Sequence, residues 1–174
     1  AMAGAEAFWQ GPKAANSRSD ALVFFGATGD LAHKKIFPAL QSMVERGLLQ
    51  CPVIGVAKAG WTLDQLKARA KDSVETHGPG VREPAFSQLM SQLRYVDGDY
   101  GDPKTFAQLK TLLEGCRAPT HYLAIPPMLF ATVIEALQKS GAAAGARVVV
   151  EKPFGHDLKS AEELNQILHQ VFPE

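Results

Sequence analysis

Two hydropathy periods alternate along the chain. Five short segments predict strands: Ala21–Phe25, residues 52–57, residues 94–97, residues 120–125 and Arg147–Val150. Between them, apolar residues recur every three or four positions. Ile36, Leu40, Met43 and Val44 form one such face. Leu63, Leu66, Ala70 and Val74 form the next, and residues 85–93 predict a short helix after a loop over 78–84. Leu109, Leu112 and Leu113 are expected to point inward from a fourth helix. Phe130, Val133, Ile134 and Leu137 belong to a fifth, and Ala161, Leu164, Leu168 and Val171 to a last one. Strand and helix taking turns predict an α/β class: a doubly wound parallel sheet in three layers, α/β/α.

Local signals set several boundaries. Thr62 with Gln65 reads as a capping box. Asp102-Pro103 places an N-cap and a first-turn proline. Gly47 and Gly141 stop the helices before them. Pro38 lies inside a helical pattern and must remove a backbone hydrogen bond, so a kink is expected near residues 34–37. Residues 1–20 are rich in Ala, Gly and Ser with no period and are expected to form a flexible tail, although Phe8 and Trp9 offer a docking point. Residues 21–174 are expected to form one domain.

The candidate chemistry begins where the first strand stops. Gly26 and Gly29 follow it directly, and a helical pattern opens at once. A strand, a glycine turn and a helix N-terminus suit an anionic phosphate, because the turn's amides and the helix dipole both favour negative charge. This is the first unit of a Rossmann-like, NAD(P)-binding domain. Leu31 stands where a third glycine of G-x-G-x-x-G would come, so a plain glycine turn is the competing reading. Asp30 suits an N-cap or first-turn carboxylate.

In such a fold the ligand lies along the carboxyl ends of the strands. The second strand ends at Lys58, with no carboxylate before Asp64. A cation there suits an adenosine 2′-phosphate and favours NADP over NAD; a solvated lysine is the alternative. Asp99 and Tyr100 follow the third strand, and Pro126-Pro127 the fourth. Pro126 either stiffens the chain beside the crevice or simply opens a helix. The fifth strand leads to Glu151 and Lys152, and Pro153 holds Lys152 extended toward the crevice or toward solvent. Tyr100 and Lys104 carry the spacing of a Tyr/Lys catalytic pair. A helix starting between them would keep them off one face. The five histidines, His33, His77, His121, His156 and His169, have no evident partner, and none is assigned as a catalytic base.

Charge and cysteine content narrow the setting. Lys+Arg and Asp+Glu number 18 each, which gives no nucleic-acid footprint and no basic run for a membrane surface. No apolar stretch reaches a membrane span. Cys51 and Cys116 match no metal spacing and read as free thiols in a reducing compartment, so a cytoplasmic location is expected.

The segments FFGATGDLAHKKIFPAL, VIGVAK, HYLAIPP and RVVVEKPFGHDLKSAEELN, in that order, resemble the N-terminal coenzyme domain of the glucose-6-phosphate dehydrogenase family. The resemblance runs from Ala21 to the end of the chain. It implies oxidation of the C1 hydroxyl of glucose 6-phosphate to 6-phosphogluconolactone, with hydride passing to NADP, or to NAD in some members. It implies that Gly26, Ala27, Thr28, Gly29, Asp30, Leu31, Ala32 and His33 wrap the pyrophosphate, and that Lys58 meets the 2′-phosphate where the family often has Arg. Asp99 and Tyr100 would lie on the adenine side. Phe130 stands for a tyrosine found beside the cofactor in some members. Glu151 and Lys152 would also face the cofactor, Lys152 bridging it to the sugar with Lys152-Pro153 as a hinge. The catalytic histidine base and a phosphate-binding segment are expected in a domain outside this chain, through which a homo-oligomer would form. The EKP turn also resembles that of sugar and inositol oxidoreductases, and a non-catalytic NADPH-sensing module is a further alternative.

Overall fold

A computed structural model describes residues 19–150. Five parallel strands form one sheet in the order β3-β2-β1-β4-β5: β1 Ala21–Phe25, β2 Val53–Ala57, β3 Leu93–Asp97, β4 Pro119–Leu123 and β5 Arg147–Val150. The chain starts in the middle of the sheet, builds outward to β3, then crosses back to β4. Leu22 therefore pairs with Val53 on one side and with Thr120 on the other. That reversal beside β1 opens a crevice at the strands' carboxyl ends. The tail over residues 1–18 and the helix expected after β5 lie outside the described residues.

Side chains of β1 alternate between two cores, as the two-residue period of a strand requires. Phe24 faces α1 (Phe37–Glu45), α2 (Leu63–His77) and α3 (Ala85–Gln92), with Phe37, Leu40, Leu66 and Leu89 around it. Its ring meets that of Phe37 edge-on at 5.6 Å. Val23 and Phe25 face α4 (Pro103–Leu112) and α5 (Phe130–Ser140), among Phe106, Leu109, Val133 and Leu137. β2 and β4 are buried along their whole length, as expected for interior strands covered on both faces.

Local chemistry forms the helices as expected, with instructive departures. The Thr62–Gln65 capping box is complete, with Thr62 N–H donating to Gln65 Oε1 at 2.8 Å. Asp102 Oδ1 accepts from Lys104 N–H at 2.9 Å and Pro103 opens α4. Gly47, at φ 73°, closes α1 while Leu48 N–H reaches back to Met43 O at 2.9 Å. The kink expected at Pro38 takes the form of a wide π-helical turn over Ala32–Ile36. Pro38 has no N–H for the carbonyl four residues back. The chain widens there, and Phe37 N–H bonds Ala32 O, five residues back.

Two expectations are corrected. Leu112 is 39% exposed, whereas Leu109 and Leu113 are buried. The four-residue spacing of the latter pair sets the inward row, and Leu112 falls outside it. β4 begins at Pro119 and stops at Leu123 rather than running to residue 125. Ala124 N–H still reaches Phe25 O at 3.0 Å, but Gly26 then turns away at φ 85°, so Ile125 has no strand to pair with among the described residues.

Candidate functional site

The crevice holds about 700 Å³ above the ends of β1, β2 and β4. Its floor is the turn after β1. Gly26 adopts φ 85°, and a Cβ there would stand 2.1 Å from Ala124 O, so only glycine lets the turn pass this close to β4. Gly26 N–H is held from two sides, by Val56 O at 2.9 Å and by the Tyr100 hydroxyl at 2.8 Å. The same hydroxyl donates to Val56 O at 3.3 Å. The Tyr100 ring packs on Phe25 at 5.8 Å, and burial raises its phenol to about 12 against the opposing Gly26 hydrogen bond. Tyr100 is therefore a neutral latch between the third crossover and the glycine turn.

Beyond Gly26 the amides divide into two groups. Gly29 N–H closes the turn on Gly26 O at 3.0 Å. The N–H groups of Thr28, Asp30 and Leu31 have no acceptor among the described residues, and helical backbone begins at Asp30. Helix geometry demands such unpaired amides in a first turn. Thr28, Gly29, Asp30 and Leu31 all line the crevice, so these donors border a space wide enough for a phosphate chain. Asp30 is exposed in that first turn, as the sequence suggested.

The opposite rim is polar and open. Lys58 follows β2, and its Nζ lies 3.1 Å from Asp99 Oδ2. The side chains are 70% and 56% exposed. Asp99 Oδ1 accepts from Gly101 N–H at 2.9 Å; that bond, then Lys58, lowers the Asp99 carboxyl below the usual range. Asp97, at the end of β3, ties down the turn that carries Lys58. It accepts from Ala59 N–H at 3.0 Å, Gly60 N–H at 2.9 Å and the Tyr95 hydroxyl at 2.5 Å. Burial pushes its pKa up, but these hydrogen bonds outweigh burial and keep it low.

The structure thus brings Gly26, Thr28, Gly29, Asp30, Leu31, Lys58, Asp99, Tyr100 and Pro126 to one crevice. Four other expected residues turn away from it. Ala27 is fully buried, its Cβ filling the space that Gly55 leaves open on β2. Ala32 and Phe130 are buried in the two cores because each begins the inward row of its helix. His33 Nε2 sits 2.6 Å from Asp72 Oδ2, its ring lies 4.8 Å from that of His77, and its carbonyl accepts from Ser73 Oγ. If these residues wrap a pyrophosphate, they do so through backbone, because their side chains are buried or paired with α2. Glu151 and Lys152 lie outside the described residues.

The histidines also need correction, since the described ones have partners. His33 and His77 pair as above. His121, fully buried on β4, bonds Ala142 O through Nε2 at 3.0 Å and packs on Phe25. Burial lowers its pKa to about 4, so it stays neutral, and its Nδ1 has no partner among the described residues. Tyr100 and Lys104 do not share a helix face, because α4 starts at Pro103 and Tyr100 is latched to Gly26. The sequence reading missed Asp97, Gly101, Leu129 and Thr132. Asp97 was legible as a carboxylate at a strand end; the other three become neighbours of the crevice only when α5 folds beside β3's crossover. Both cysteines are free thiols. Among the described residues no helix is long and apolar enough to cross a membrane, and no cluster of metal-ligating side chains occurs.

Comparison with known proteins agrees with this geometry. Residues 23–174 match the family described as Glucose-6-phosphate dehydrogenase, NAD binding domain. The chain is 42% identical over 156 residues to Glucose-6-phosphate 1-dehydrogenase 1 of Mycobacterium bovis, covering 90% of this chain and 33% of that protein. It superposes on the crystal structure of glucose-6-phosphate 1-dehydrogenase from Mycobacterium avium with a TM-score of 0.82 at 44% identity, over 88% of this chain and 34% of that one. A glucose-6-phosphate dehydrogenase in complex with its substrate glucose-6-phosphate gives 0.75 at 29% identity, over 89% and 35%. The chain therefore spans about a third of the length of these relatives. A five-stranded sheet reversing beside β1, a glycine turn whose amides are unpaired among the described residues and this match over nearly the whole domain place the chain in the glucose-6-phosphate dehydrogenase family, as its NAD-binding domain.

Proposed function

We propose that the chain is the coenzyme-binding part of an enzyme that oxidises glucose 6-phosphate at C1 to 6-phosphogluconolactone, with NADP as the preferred hydride acceptor. The carrying observation is the crevice itself: unpaired amides of Thr28, Asp30 and Leu31 on one side and the Lys58 ammonium on the other. These residues fit a phosphorylated dinucleotide. The amides would hold the pyrophosphate at the helix start, and Lys58 would reach the adenosine 2′-phosphate. When bound, the coenzyme supplies the hydride-accepting ring. The chain's own residues bind and orient it, which is the protein's share of such chemistry. By the family resemblance, Lys152 would orient the sugar against it, and Glu151 would also serve the coenzyme. No described histidine suits the general base, since His33 and His77 are held at α2 and His121 is buried. That proton acceptor, by the same family resemblance, would lie in a domain outside this chain, as would the surface of a homo-oligomer. The two free thiols accord with a cytoplasmic setting, and the balanced charge, 18 Lys+Arg against 18 Asp+Glu, offers no footprint for nucleic acid or a membrane surface.

Titration of the 174-residue chain with NADP and NAD tests the coenzyme site, and an assay with glucose 6-phosphate and NADP tests the division of labour. Binding without NADPH production is expected. Absence of binding at millimolar coenzyme overturns the site, and measurable turnover by this chain alone overturns the placement of the base outside it.

A further inference from the structure

Lys58 is the only cation among the described residues that line the crevice, and it is already paired. Its partner is the better fixed of the two. Asp99 is held through its other oxygen by Gly101 N–H, directly after β3's end, next to the latched Tyr100. Lys58 swings on a four-carbon stem from a turn that Asp97 anchors. The pair is open to solvent on both sides, so a ligand can exchange with it. A 2′-phosphate that binds Lys58 must share the ammonium with Asp99 or draw it away, and in either case must approach a fixed carboxylate. A 2′-hydroxyl meets no such conflict, because it can donate to Asp99 and leave the pair intact.

We propose that Asp99 is a specificity-determining residue of the coenzyme site: it holds Lys58 in an ion pair whose ammonium an adenosine 2′-phosphate must compete for, against the carboxylate's own repulsion, and which a 2′-hydroxyl leaves undisturbed. The inference rests on the coenzyme reading given above. Its consequence is narrow discrimination, so that the crevice accepts both NADP and NAD despite a lysine at the end of β2. Asp99 acts chiefly through Lys58 and takes no part in hydride transfer.

The test is a double-mutant cycle on the dissociation constants of NADP and NAD, measured by titration at low and at high salt. Asp99→Asn keeps an oxygen for Gly101 N–H and removes the charge. It should shift the NADP-to-NAD affinity ratio toward NADP by about three- to tenfold at low salt, and by less as salt screens the pair. Lys58→Ala should lower NADP affinity and spare NAD, and in that background the gain from Asp99→Asn should shrink. An unchanged ratio in Asp99→Asn, or a gain undiminished by Lys58→Ala, overturns the proposal while leaving the coenzyme site intact. Failure of the parent chain to bind either coenzyme removes the site reading and this inference together. Circular dichroism of each variant, compared with the parent, shows whether the fold is retained.

Discussion

The two rims of the crevice are built by different physics. On the β1–β4 side, contact is backbone to backbone: Gly26 lies against Ala124, and the Tyr100 hydroxyl is latched beneath the turn. On the β2–β3 side, contact is between two exposed side chains, Lys58 and Asp99. The first rim is fixed by sterics and buried hydrogen bonds and can change only by disturbing the fold. The second is fixed by charge in solvent and can change with little effect on the fold. On the proposed coenzyme reading, shape and selectivity are held in separate places, and substitutions should separate them.

The largest effect is expected at the packed rim. Gly26→Ala puts a Cβ onto a carbonyl at a positive φ and should cost about 3 kcal/mol or more in urea unfolding, with coenzyme binding lost. A variant of parental stability would show that the turn is not constrained by Ala124.

Acid should strike the same side. His121 has a folded pKa of about 4 against 6.5 when unfolded, so between these values the unfolded chain binds the extra proton. Its neutral burial is without penalty above pH 6.5 and destabilises progressively as pH falls toward 4, by about 3 kcal/mol in total. Urea unfolding from pH 7 to 4 should therefore show a steeper loss for the parent than for His121→Leu. Parallel curves would show that the histidine is not buried neutral.

Tyr100→Phe removes the latch but leaves Val56 O on Gly26 N–H. It should cost about 1 kcal/mol and weaken NADP and NAD alike. Unequal weakening would mean that the tyrosine reads the adenosine rather than holding the turn. The smallest structural effect is at the open rim: Lys58→Ala should leave the melting temperature where it was while lowering NADP affinity about tenfold. A large fall in melting temperature would erase the distinction between the rims.

Much of the fold was legible because its signals are local. β1 and β5 fall at the expected residues, and the Thr62 box and Asp102 cap involve neighbours two or three positions apart. Helix faces were legible in the same way, except Leu112, whose apolar character hid its position off the inward row. The strand–glycine–helix turn was legible even without a third glycine, because strand, glycine and helix start are contiguous. The fates of Ala27, Ala32, His33 and Phe130 were not. Adjacency to a motif says which residues are near a ligand along the chain, and packing against Gly55, Asp72 or a core decides which side chains face it.

By itself the sequence determined the alternation of strands and helices, their caps and stops, the glycine turn after β1 and the cation at the end of β2, because each is written within a few residues. Only the tertiary structure decided that Tyr100 meets Gly26 across 74 positions and that Asp99 meets Lys58 across 41. Those pairs exist because parallel strands joined by crossovers bring their carboxyl ends to one edge, and neither hydropathy nor spacing records which side chains meet there.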